Sequence, residues 1–222
     1  EAELDDVGNI LYANTSTNAI DRFSSFTLGE NSAVRTDFSN VVFLTDEPSA
    51  FKVSPFDNTM LLVGTRDGKL IRVSDVTTAP TWKSLTGSGF VGSISDIEYG
   101  ATAQEIFVTF HNYGVSSIFR TTDGGTTWAN AEGNLPDIPV KCILQNPLLT
   151  EEVIIGTDLG IWRTSDITVA SPIWTQSNNG MSEVSVFDLD LRTSDNTILA
   201  TTFGRGLFTS TFTATTASLD DD

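Results

Sequence analysis

Cysteine occurs once in these 222 residues, at Cys142, and histidine once, at His111. One cysteine excludes a disulfide within the chain, so cysteine usage does not decide the compartment. One cysteine and one histidine are too few for an ordinary zinc site. Cations are also scarce, 12 Lys and Arg against 29 Asp and Glu, for a net charge of −17. That balance argues against a nucleic-acid partner, whose phosphates need clustered cations. It argues equally against adsorption to anionic lipid. No apolar run approaches the ~18 residues of a membrane-spanning helix, and no membrane insertion is expected. No signal peptide is visible, but the sequence starts at Glu1 rather than Met, which is compatible with processing. Asn14-Thr15-Ser16 fits a glycosylation acceptor, a pattern too short to carry weight.

What the chain does have is apolar mass: 39 % hydrophobic residues, including 14 Phe and 4 Trp, enough for a packed interior. It also repeats. The segments "LLVGTRDGKLIRVSD" (61–75), "IFVTFHNYGVSSIFRTTD" (106–123), "VIIGTDLGIWRTSD" (153–166) and "ILATTFGRGLFTST" (198–211) each read as strand, turn, strand. In three of them the second strand ends in Arg-x-[Ser/Thr]-Asp, at Arg72–Asp75, Arg120–Asp123 and Arg163–Asp166. A tryptophan follows each: Trp82, Trp128 and Trp174. A further strand precedes each pair, in "AFKVSPFD" (50–57), "ISDIEYG" (94–100), "KCILQNP" (141–147) and "VFDLDLR" (186–192). Another begins around each tryptophan, as in "TWKSLTG" (81–87) and "IWTQSNN" (173–179). Cys142 then reads as a small buried residue on a strand. A poorer copy occupies 9–26 and 33–38 and lacks a leading strand; the last copy lacks a tryptophan strand after Phe212.

Four-stranded antiparallel units recurring every ~40–50 residues are the signature of a β-propeller. A β-sandwich would not repeat Arg-x-[Ser/Thr]-Asp and Trp at matching places. The expected fold is therefore all-β, a propeller of about five blades or partial blades. The repeats fall at about 1–40, 41–90, 91–138, 139–182 and 183–212, followed by an acidic polar tail over 213–222. These blades either close as a small ring or belong to a larger one. An open set would expose apolar blade faces and seek the remaining part of the propeller as a partner.

The turn after the third strand of the third unit reads Thr121-Thr122-Asp123-Gly124-Gly125-Thr126-Thr127-Trp128. Asp123 is suited to accept backbone N–H groups of its own turn, and Gly124 and Gly125 to take positive φ. Thr121 and Thr127 are suited to brace the hairpin, and Trp128 to bury its ring beneath the turn. This stretch resembles the Asp-box, or BNR repeat, [Ser/Thr]-x-Asp-x-Gly-x-[Ser/Thr]-Trp, matching at Thr121, Asp123, Gly125, Thr127 and Trp128. The family includes sialidases, sortilin-like receptors, xyloglucan-cleaving glycosidases and photosystem assembly factors. The resemblance covers about residues 41 to 212 and implies a structural role for the box, away from any active centre. Asp75 with Trp82 and Asp166 with Trp174 are degenerate boxes, lacking the glycine and spaced seven and eight residues apart instead of five. The end "NTILATTFGRGLFTSTF" (196–212) is similar to the final blade of large secreted Bacteroidetes proteins. That resemblance implies a linker and a C-terminal type IX sorting domain beyond it.

Chemistry is harder to find. His111 has no nucleophile motif beside it, so a triad is not expected. The acid pairs Asp96 and Glu98, and Asp188 and Asp190, each alternate onto one face of an innermost strand. They are the candidates if the chain is a xyloglucanase-like glycoside hydrolase working through two carboxylates. A sialidase is disfavoured, because Arg72, Arg120 and Arg163 recur with the repeat and read as scaffold, and the Arg-Ile-Pro signature is absent. Calcium is conceivable at "TDEPS" (45–49) or Asp220–Asp222, but no stretch has the spacing of a calcium loop, so no cofactor is expected. The resulting expectation is a non-catalytic, secreted or surface-attached adhesion module. It would bind a polysaccharide or protein through the loops of one propeller face.

Overall fold

The computed structural model describes residues 1–25, 33–177, 180–181 and 183–214. The expected ends of the tail, Asp220–Asp222, and of the 173–179 strand lie outside these. Nineteen strands form five antiparallel sheets, and no helix occurs among the described residues. The first sheet runs β1 (Ala2–Asp5), β2 (Ile10–Ser16), β3 (Ala19–Ser24), β4 (Val34–Ser39). The second runs β5 (Pro48–Val53), β6 (Leu61–Thr65), β7 (Leu70–Ser74), β8 (Thr81–Ser84). The third holds β9 (Ile94–Tyr99), β10 (Ile106–Phe110), β11 (Ile118–Thr121) and β12 (Ala129–Asn130). The fourth holds β13 (Val140–Gln145), β14 (Val153–Thr157), β15 (Gly160–Thr164) and β16 (Thr175–Gln176). The fifth has three strands among the described residues, β17 (Val186–Arg192), β18 (Thr197–Thr202) and β19 (Gly206–Thr211). Each sheet meanders in chain order, as a propeller blade does.

One expectation is corrected: the first unit has its leading strand. Ala2–Asp5 pairs with β2 from Ala2↔Ala13 to Asp5↔Ile10. Its sequence, Ala-Glu-Leu-Asp, holds one large apolar residue, and that residue, Leu4, is exposed. The strand is specified by its partner's backbone and leaves almost no alternation to read.

By contacts the chain divides into two compact units, Glu1–Val108 with Thr121–Trp128, and Thr109–Arg120 with Ala129–Asp222. The third sheet supplies strands to both. The first unit is held by Ile10, Tyr12 and Ile20 of the first blade packed on Leu61, Val63, Ile71 and Val73 of the second. These alternate with residues on the opposite faces, so both faces of the second blade are apolar, and β6 is buried along its whole length. Gly64 explains how the next blade fits. A Cβ placed there would lie 2.5 Å from Ile94 Cγ2 and 2.8 Å from its Cβ. The second unit repeats this at Gly156, where a Cβ would meet Cys142 Sγ at 2.4 Å and Val186 Cγ1 at 2.7 Å. Cys142 is buried, as read, within the cluster that joins the fourth and fifth blades through Leu144, Ile154, Leu189 and Ile198.

Candidate functional site

The recurring turn is built from its own residues. Asp123 Oδ1 accepts the backbone N–H groups of Thr126 and Thr127, both at 2.9 Å, and the Thr121 hydroxyl at 2.7 Å. Oδ2 accepts the Thr127 hydroxyl at 2.7 Å. Those bonds, Thr127's first, hold the carboxyl down at about 2. Gly124 and Gly125 both take positive φ. Three groups of the turn converge on Oδ1 and one on Oδ2, so the carboxylate serves its own turn. Asp166 accepts the N–H and hydroxyl of Thr168, while Asp75 itself takes φ 57°, so the two degenerate boxes close in different ways.

The tryptophans depart from the expectation that Trp128 lies beneath its own turn. Its indole N–H donates instead to the Leu85 carbonyl, at 2.8 Å, in the preceding blade, and its ring meets Phe90 edge-on at 5.0 Å. Trp174 does the same to the Ala131 carbonyl at 3.0 Å. Trp82 lies against Phe38 and Phe43, at 5.8 and 6.2 Å. Each ring therefore clasps the blade before it. The outer strands themselves are short, of four, two and two residues.

The two acid pairs meet different fates. Glu98 is ion-paired to Lys52 at 2.6 Å, with side chains 16 % and 27 % exposed. Burial pushes the Glu98 carboxyl up, and the neighbouring Glu3 carboxylate adds to that. Burial pulls the Lys52 ammonium down, but Glu98, Asp96 and Glu3 outweigh it, so the lysine stays charged. Asp96 Oδ1 accepts the N–H of Ile97 at 2.8 Å. Asp188 and Asp190 are exposed and pair in register with Thr201 and Leu199 on one face of the fifth sheet. Asp190 accepts the N–H of Leu191. In the acidic 45–49 loop, Glu47 pairs with Arg66 at 2.7 Å and Asp46 accepts the N–H of Glu47. His111 is exposed just past β10.

A site the sequence did not suggest lies in the second unit. The first strands of the fourth and fifth blades carry a register shift at the same place, between Val140 and Cys142 and between Val186 and Asp188. A bulge leaves its extra residue unpaired and re-aims it. Those residues are Lys141 and Phe187, and they meet: Lys141 Nζ sits 4.0 Å from the centre of the Phe187 ring. The same ammonium is 2.7 Å from Asp158 Oδ1 and donates to Ser185 Oγ at 2.7 Å. Ser185 in turn donates to Asp158 at 3.0 Å, and its carbonyl accepts the Phe203 N–H. Burial pushes the Asp158 carboxyl up, but bonds from Lys141 and Ser185, with the Lys141 and His111 charges, hold it below the usual range. Phe187 and Phe203 stand 52 % and 73 % exposed with ring centres 5.9 Å apart. Lys141, Asp158 and Ser185 thus form one closed set of contacts beside the Phe187 ring. The arrangement is an exposed aromatic pair, its rings tilted by 45° to one another, with an ion pair at its side. Only pairing geometry reveals it, since a bulge leaves no composition signal.

Neither a protein-family model nor a curated protein sequence matches the chain. Among solved structures it is similar to the GH74 xyloglucanase from Xanthomonas campestris, with a TM-score of 0.60 and 17 % identity. The match covers 91 % of this chain and 35 % of that one, so the chain spans about a third of the enzyme's length. The likeness shows the fold: all-β, with the antiparallel blades of a β-propeller.

Proposed function

We propose that the chain is a non-catalytic extracellular binding module whose second unit takes a neutral polysaccharide on the Phe187–Phe203 platform. The observation that carries this reading is the exposed aromatic pair 5.9 Å apart, with Lys141 and Asp158 locked beside it. Aromatic faces stack on the apolar faces of sugar rings, and fixed polar groups at their edge give direction. The net charge of −17 favours an uncharged chain over an acidic one. The solved relative acts on a polysaccharide, xyloglucan, and shares the fold. Within this reading the Thr121–Trp128 turn is an Asp-box serving structure, and the module belongs to a large secreted protein of the type IX kind. No helix among the described residues is long and apolar enough to cross a membrane.

Affinity electrophoresis in gels carrying xyloglucan, other neutral glucans or pectin tests it. The chain is expected to be retarded by at least one neutral polysaccharide, and Phe203→Ala to abolish the retardation. Migration unaffected by every polysaccharide would refute the module.

A glycoside hydrolase is the second reading, favoured by the raised Glu98 carboxyl, a property of general acids, and by the xyloglucanase likeness. Release of reducing sugar from xyloglucan, lost in Asp96→Ala or Asp188→Ala, would establish it and displace the first.

A further inference from the structure

The polar groups beside Phe187 and Phe203 are unevenly used. An ammonium has three N–H groups. Those of Lys141 meet Asp158 Oδ1 at 2.7 Å, Ser185 Oγ at 2.7 Å and the face of the Phe187 ring at 4.0 Å. The single hydroxyl proton of Ser185 goes to Asp158 Oδ1 at 3.0 Å. Both partners of the carboxylate therefore fall on Oδ1, and Oδ2 has no hydrogen-bond partner among the described residues. Building on the platform proposed above, we infer that Asp158 is its specificity-determining residue. Oδ2 accepts a hydroxyl of a sugar stacked on Phe187 and Phe203, and the carboxylate charge turns away a uronic acid.

The contacts tie this oxygen's carboxylate to both rings. The Lys141 ammonium is shared between Asp158 and the Phe187 ring. Ser185, which donates to Asp158, accepts the Phe203 N–H on its carbonyl. Asp158 lies in the turn between β14 and β15, with its side chain 33 % exposed against 19 % for Lys141. The acceptor is thus the more open member of the pair, while the donors of Lys141 and Ser185 are committed within it. Burial pushes the Asp158 carboxyl up, but the Lys141 and Ser185 bonds keep it below the usual range, so it stays ionised. An ionised carboxylate accepts and cannot donate. What pairs with it must bring a proton: a sugar hydroxyl does, whereas a uronate carboxylate does not and is repelled as a like charge. The charge also makes the hydroxyl bond a strong one. His111 is the other titratable group that acts on Asp158, through charge, and no hydrogen bond joins the two among the described residues.

The probes are xyloglucan and β-1,4-glucan oligosaccharides, each paired with the same oligosaccharide oxidised at its primary alcohols to carboxylates. Isothermal titration calorimetry on the full chain reads both members of each pair. The parent should bind at least one neutral oligosaccharide at least about tenfold more tightly than its oxidised counterpart. Asp158→Asn keeps the size of the side chain and removes its charge. Its affinity for the neutral sugar should fall about tenfold and its preference shrink to within about threefold. Circular dichroism verifies the fold, and the paired oligosaccharides test the parent without any variant. His111→Gln should keep the preference, which separates the carboxylate from the nearby imidazole. Equal binding of neutral and oxidised sugars by the parent would overturn the inference. So would an unchanged preference in folded Asp158→Asn, or a preference lost in His111→Gln. A parent that binds no oligosaccharide of either kind would overturn the platform and the role of Asp158 together, a result distinct from the other three.

Discussion

At the scale of single residues, the three tryptophans show how one side chain joins two blades. Trp174 is 1 % exposed and donates to Ala131, whereas Trp128 is half-buried at the rim of its seam. Truncation removes the packing and the hydrogen bond together. Trp174→Ala should cost about 3–5 kcal/mol and Trp128→Ala less, about 3 kcal/mol, by urea denaturation. The order of the two is the informative part, because a tryptophan that served only its own turn would cost the same in both places. Asp123 makes a different prediction, through pH. Its carboxyl is held at about 2, below the ordinary 3.8. A depressed folded value means the stabilisation is complete above the unfolded value and is lost as pH falls through about 2. The stability of the parent should therefore fall more steeply between pH 4 and 2 than that of Asp123→Asn. Parallel profiles of denaturation midpoint against pH would contradict the hydrogen-bond assignment.

At the scale of elements, seams depend on small residues where a second strand meets the first strand of the next blade. Gly64 faces Ile94, and Gly156 faces Val186 and Cys142, at distances that real Cβ atoms do not reach. Even Gly64→Ala forces the strands apart, so it should destabilise by about 1–3 kcal/mol despite the better strand propensity of alanine. Thermal denaturation measures it, and a stabilised variant would show that the seam has slack. Elements also decide what was legible in the sequence. Blades could be read because two-faced burial writes nearly continuous apolar runs such as Leu61–Thr65 and Val153–Thr157. The leading strand Ala2–Asp5 could not, because it is made by pairing and not by pattern. The tryptophans were legible as anchors, but their partners were not, since Leu85 and Trp128 are 43 residues apart and nothing local links them. The same holds for Glu98, whose carboxylate looked available until Lys52, 46 residues away, proved to be its partner. The Lys141–Phe187 contact rests on two bulges, and a bulge exists only once strands are paired.

At the scale of the whole molecule, a chain with 29 acidic residues holds few exposed aromatics on its described faces. Among the described residues, Phe187 and Phe203 are exposed aromatics that stand together. A neutral ligand stacked on rings should bind with little dependence on salt, whereas a charged one would be screened. Isothermal titration calorimetry with a neutral xyloglucan oligosaccharide tests this claim most directly, comparing the parent with the Phe187→Ala/Phe203→Ala double variant. Saturable heat is expected from the parent, largely unchanged between low and physiological salt, and none from the variant. Equal binding by both proteins would contradict it.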